Sequence, residues 1–309
     1  MRNISRIAAF ALLAVLTAYG VFEFARGDWE GAVAYWRDHA GVLPGVLALA
    51  VLDVAFEALA AMWVYTRFGV RAFDRWGAVA CLSMRAGLLL PAQLSRLIRP
   101  DRFVALGRAH AAPCLQAEAA TFALDLLSVA ALVTGALVWT RAPLASLPAA
   151  LAVTAVGLAA GRLAAGWLRG TRFELPRDFW WRPASFGIVA LEAGAWLTHG
   201  LAFWLLVRAL PGGAGPAESV LASALSAVLG ASSGAPGGVG VTDGLLGASL
   251  RWMDVPLEHL ALVVLGFRLA TFWIWIPLGW VALGVLRRAP VAAGPPGPPT
   301  PAERPEALA

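Results

Sequence analysis

Long apolar runs alternate along this chain with short loops rich in arginine. Several reach the ~20 residues that a helix needs to cross a bilayer. They predict spanning helices near 7–25, 41–65, 113–139, 147–168, 184–209 and 257–286. Two further segments, 77–95 and 219–250, are apolar but interrupted, the first by Pro91 in LLLPAQLSRLIR and the second by GAPGGVGV. Glycine and proline cost a helix roughly 1 and 3 kcal/mol relative to alanine, and in lipid every freed backbone group must find a partner. Breaks of this kind therefore imply backbone offered to something polar.

The arginines orient the spans. Basic loops stay on the cytoplasmic side. Clusters at Arg2 and Arg6, at Arg67, Arg71 and Arg75, at Arg96, Arg99, Arg102 and Arg108, at Arg169, Arg172, Arg177 and Arg182, and at Arg287, Arg288 and Arg304 all fall on one side. Arg26, Arg37, Arg141, Arg208 and Arg251 fall on the other. Segment 77–95 has a basic cluster at each end, so it is expected to enter and return from the cytoplasm. By the same count 219–250 enters and returns from the outer side.

The expected fold is an all-α polytopic membrane protein of about six spanning helices plus two re-entrant broken helices, arranged as an inverted repeat. The pseudo-repeats run over about 41–139 and 184–286, within a membrane domain of 1–288. Transporters built this way meet their cargo where broken helices approach the midplane. The first apolar run is read as a retained helix rather than a signal peptide ending near Gly20. The Pro- and Gly-rich tail, 289–309, is expected to be disordered and cytoplasmic.

Composition agrees with the pattern. The 309 residues are 60% hydrophobic and 14% charged, with a mean hydropathy of +0.72; a soluble domain carries about 25% charged residues. The net charge of +5 comes from a chain whose 24 basic residues are all arginine. The clustering of most of them in loops beside the spans makes them marks of topology and not of nucleic-acid binding. Cys81 and Cys114 read as small packing residues.

No enzymatic constellation emerges. Taking Gly238 and Gly240 as the start of a dinucleotide fingerprint puts Asp243 where the third glycine belongs, and no Walker lysine follows. ASSGAPG lacks a nucleophile elbow. His39, His110, His199 and His259 are scattered, and neither a metal site nor a cofactor is expected.

The candidate chemistry lies in ionisable residues at membrane depth, which by default face protein or water. Asp53 and Glu57 share a helix face and either share a proton or pair with arginines. Glu118 and Asp125 share a face at seven residues' spacing, as do Glu192 and His199. Asp125 and Arg268 each lie twelve residues beyond a proline that opens a span, Pro113 and Pro256, or about 18 Å from opposite surfaces. They are expected to pair. Arg85 and Arg268 are alternatively phosphate contacts. Asp243, near the start of a short helix after PGGVG, caps that helix or holds a cation or proton. The Gly157/Gly161 spacing reads as a helix-packing contact. VAFEALA (54–60) resembles VALEAGA (189–195), with the two glutamates about eight residues apart in expected depth.

These motifs resemble a known group. PGGVGVTDGLL, followed by LVVLGFRLATFWIWIPLGW, resembles the C-terminal signature of the lysylphosphatidylglycerol synthase transmembrane region family. That signature reads P-G-G-x-G-x-x-E and then an Arg before a Gly in the closing span. Pro236, Gly237, Gly238, Gly240, Arg268 and Gly279 match it, and Asp243 stands for the Glu. LLPAQLSRLIR is similar to the family's L-P-x-R-x-G-E-x-x-R, with Pro91 and Arg99 matching and with Gln93, Ser95 and Arg96 departing. Glu118 and Asp125 are similar to an acidic pair in the next span. The likeness covers about residues 5–288.

The resemblance implies a flippase-like domain in a bacterial inner membrane with both termini cytoplasmic. It would move an amphipathic lipid, whether a phospholipid, an aminoacylated lipid or a polyprenyl- or hopanoid-type lipid. No counterpart of that family's separate synthase domain is expected in these 309 residues, and so no synthase activity. Headgroup contacts would come from Arg99, Arg268, Arg85, Pro91 and the backbone of Pro236, Gly237, Gly238 and Gly240. Proton handling or charge pairing would fall to Asp53, Glu57, Glu118, Asp125, Glu192 and Asp243. The partners would be a membrane lipid and a separate lipid-modifying enzyme. The competing readings are a membrane enzyme acting on a lipid-linked sugar or phosphate, with His199, Glu192 or Asp243 as base, and a non-catalytic subunit of a lipid-modifying complex.

Overall fold

Ten α-helices, joined by short 3-10 segments and one π turn, make up the computed structural model among its described residues. These are 40–170, 175–208, 214–255 and 257–290, with Arg37 and Leu210 besides; Ala92 and 257–259 are described by backbone alone. The expected first span, Pro256 and the tail from 291 lie outside them. The helices are α1 Leu43–Arg67, α2 Arg75–Ser83, α3 Ile98–Ala105, α4 Ala111–Trp139 and α5 Pro143–Trp167, then α6 Pro183–Val207, α7 Pro216–Ser232, α8 Val241–Trp252, α9 Leu257–Arg268 and α10 Trp275–Leu286.

Five stretches are long and apolar enough to cross a membrane: Ala40–Arg67, Ala111–Trp139, Pro143–Trp167, Pro183–Val207 and Leu260–Leu286. They coincide with the expected spans that fall within the described residues. Proline at the first or second position opens α1, α5, α6 and α7, where its missing N–H costs no hydrogen bond. Large apolar side chains remain on the outside, as Val156 (70% exposed) and Leu163 (58%) show on α5. Such a surface suits lipid and not water. The fold is thus an all-helical, multi-pass membrane protein.

Both interrupted segments are broken helices. The first runs α2, a 3-10 turn at Met84–Gly87, a second 3-10 stretch at Pro91–Leu97, and α3. It begins in a loop fixed by Asp74, which caps α2 by accepting from the N–H of Gly77 at 2.8 Å and takes Arg108 at 2.6 Å. Burial pushes this carboxyl up, but the Arg108 and Gly77 hydrogen bonds outweigh it and hold it below its usual value. The helix loosens at Met84, seven residues before Pro91, the residue expected to cause the break. The second segment runs α7, a 3-10 turn at Pro236–Gly238, and α8. There the prolines and glycines expected to interrupt the helix do so.

Packing relates the parts. In α1 and α6, Gly45 lies against Leu205, Gly194 against Phe56 and Gly187 against Trp63, so the two helices run antiparallel. In turn α10 packs on α2 and its 3-10 turn, while α4 packs on α7. The last span of each half therefore covers the broken helix of the other. Because lipid supplies no hydrophobic drive between helices, close contact at small residues carries this packing. A Cβ on Gly200 would lie 2.7 Å from the Val220 Cα. Gly157 and Gly161 serve the expected packing role against Leu127 and Trp180.

Candidate functional site

The two breaks meet at the centre. Gly237, at the tip of the second, sits where a Cβ would come 3.2 Å from the Leu88 carbonyl of the first. Its φ of 61° lies in the left-handed region, as does the 66° of Gly238, which favours glycine at both positions. Between the breaks and the spans lies a cavity of about 460 Å³. Its charged and titratable lining comprises Asp53 and Glu57 from α1, Arg85 and Arg96 from the first break, Asp125 from α4, Glu192 and His199 from α6, and Arg268 from α9.

These groups form linked ion pairs. Glu57 takes Arg85 directly, with Arg99 at 3.8 Å. Glu118 takes Arg99 at 3.2 Å, lies 3.8 Å from Arg96 and accepts from the Tyr65 hydroxyl at 2.6 Å. Asp125 takes Arg96 and accepts from the Trp196 indole at 2.7 Å. Asp53 lies 3.2 Å from His199 Nδ1. Arg268 lies 3.1 Å from Asp243, donates to the Gly237 carbonyl at 3.0 Å and stacks on Phe272 at 4.0 Å. A π turn, Leu269–Trp273, follows Arg268 directly; such turns re-aim side chains at functional sites. The Trp275 indole donates to the Ala270 carbonyl at 3.0 Å within it.

The expected Asp125–Arg268 pair is replaced by two others. Arg96 projects from the 3-10 stretch toward α4 and captures Asp125, while Arg268 is held by Asp243 and the Gly237 carbonyl of the second break. Exchanging Arg96 and Asp125 is expected to recover most of the thermal stability lost in Asp125→Ala, whereas exchanging Asp125 and Arg268 is not. Melting in detergent distinguishes the two. Asp53 and Glu57 have separate partners, His199 for the first and Arg85 with Arg99 for the second, instead of facing each other over a shared proton. Asp243 is both a helix cap, accepting from the N–H of Gly240 at 3.0 Å, and the partner of Arg268. Glu57 and Glu192, expected to differ in depth, lie opposite each other within about a residue, because the antiparallel register sets them level.

Of the residues anticipated from sequence, Asp53, Glu57, Arg85, Asp125, Glu192, Gly237, Gly238 and Arg268 line the cavity. Arg99 does not. It is 1% exposed behind the wall, where it braces Glu118, Glu57 and the Met84 sulfur. Glu118 also lies behind the wall, and Pro91, Pro236 and Gly240 shape the breaks without reaching the cavity. Arg96, Tyr65 and Trp196 were missed. In the sequence Arg96 stands as one of a loop cluster of arginines and as a departure from a motif, although its place three residues before Arg99 is a signal that both belong to the site.

A second cavity, of about 410 Å³, lies beside the first. Its walls are mainly Val239, Leu260, Val264, Leu265 and Trp273, and Asp243 and Arg268 are its charged residues. Among the described residues no group of three or more His, Cys, Asp or Glu is placed to hold a metal. No family model matches the sequence, and no curated protein matches it.

Proposed function

We propose that this protein moves an amphipathic lipid across the membrane, as a flippase built on an inverted repeat. The observation that carries the reading is the pairing of cavities: one of about 460 Å³ studded with charged side chains and a mainly apolar one of about 410 Å³ share Arg268 as a common wall. A headgroup suits the first and an acyl or polyprenyl chain the second. A water-soluble cargo has no use for the apolar neighbour. The antiparallel α1/α6 pair and the reciprocal covering of the broken helices support two oppositely oriented halves, an arrangement that alternates access around a central site. The likeness to the lysylphosphatidylglycerol synthase transmembrane region family supports the same cargo class. The preferred location is a bacterial inner membrane.

The test is leaflet exchange. Pure protein in vesicles carrying a fluorescent phospholipid is expected to let dithionite bleach label beyond the outer-leaflet share. Gly237→Val, which strains the left-handed backbone by roughly 1–3 kcal/mol and separates the breaks, is expected to slow exchange at least tenfold while the protein stays monodisperse. Bleaching confined to the outer leaflet with anionic, zwitterionic and cationic labelled lipids would overturn the reading, and covalent change of the lipid would favour the membrane enzyme.

A further inference from the structure

The pairing of ionisable groups in the central cavity leaves one over. Every arginine that lines or backs it is already engaged: Arg85 by Glu57, Arg96 by Asp125, Arg99 by Glu118, and Arg268 by Asp243. His199 is taken by Asp53. Glu192 lies on the cavity wall at 2% exposure, and its Oε1 has no hydrogen-bond partner among the described residues. An ionised carboxylate in that position costs several kcal/mol unless it is paired, and such groups neutralise instead.

We propose that Glu192 is a proton-binding site, holding a proton at neutral pH and releasing it when the cavity is wetted or a positive charge enters. The surroundings favour this. From α1, Asp53 and Glu57 face the site; from α4, Asp125, with Glu118 behind it; from the first break, Arg85 and Arg96, with Arg99 behind; from α9, Arg268, whose partner Asp243 comes from α8; and from α6 itself, His199. The wall contributed by α7 and its break, Ser223, Ala227, Gly237 and Gly238 among it, adds no charge. Arg162 on α5 follows Gly161, whose contact is with Trp180 before the start of α6. Each arginine is neutralised by its own carboxylate, so none is left for Glu192 and a proton takes that place. It is shed when another cation takes its place or when water solvates the carboxylate.

Proton occupancy is read without any transport assay, so its outcome is independent of the flippase reading. Infrared difference spectra of the purified full chain, titrated from neutral to alkaline pH, are expected to lose a protonated-carboxyl C=O band. Glu192→Gln should lack that titrating band, and Glu57→Gln should retain it. Glu192→Asp should shift the band and its midpoint, which separates a titrating group from a merely structural one. If wild type and Glu192→Gln give the same titrating band, or if wild type shows none, Glu192 is not the proton site.

Discussion

Arg99→Ala is expected to destabilise the protein by about 3–5 kcal/mol, the usual cost of removing one partner from a buried ion pair. Arg99 is 1% exposed, and its guanidinium lies 3.2 Å from Glu118 and 3.8 Å from Glu57. Without it Glu57 still has Arg85, but Glu118 keeps only the Tyr65 hydroxyl and the more distant Arg96. The loss should therefore fall mainly on Glu118. Unfolding in detergent micelles should show Glu118→Gln recovering part of the stability lost in Arg99→Ala, and Glu57→Gln recovering less. A double-mutant cycle isolates the coupling. Equal recovery from the two carboxylates would mean that Arg99 serves Glu57 as much as Glu118. A drop below about 1 kcal/mol would mean that the cluster is wetter than its burial implies.

The spans were legible because their physics is local: twenty apolar residues in a row have few alternatives to crossing a bilayer. The second break was legible for the same reason, since Gly237, Gly238 and Gly240 all adopt positive φ and proline cannot continue a helix. The first break was misplaced. It begins at Met84, where no proline stands and where α10 presses on the backbone, a tertiary cause that composition does not display. The ion pairs failed for a related reason. A side chain's direction follows from helical phase, and phase is lost across two 3-10 stretches and a Gln93 with φ of 62°. Hence Arg96 could not be aimed at Asp125 in advance. The glutamates of VAFEALA and VALEAGA stand level, where about eight residues of difference in depth was expected. Gly45, Gly187 and Gly194 set the α1/α6 register, and this register brings Glu57 and Glu192 level across the antiparallel pair.

Gly279→Val tests the link between packing and site most severely. A Cβ at position 279 would fall inside the van der Waals envelope of the Ala86 nitrogen and close to the Arg85 carbonyl carbon. Those are backbone atoms, so no rotamer change relieves the clash. Either α10 or the Met84–Gly87 turn has to move. Overpacking a dense interior costs about 1–3 kcal/mol or more, and backbone obstacles place this case at the upper end. Displacing the turn also pulls Arg85 from Glu57, leaving that carboxylate to Arg99 alone. The two native thiols report on this directly: Cys81, 5% exposed, lies in α2 three residues before the Met84–Gly87 turn, and Cys114 is fully buried on α4. In a Cys114→Ser background, Gly279→Val is expected to raise the labelling rate of Cys81 by at least tenfold, and Gly279→Ala by less. If Cys81 stays protected while the melting temperature falls, α10 has moved outward and the turn has held. The wall of the cavity would then owe its shape to the Arg85–Glu57 pair and not to the glycine behind it.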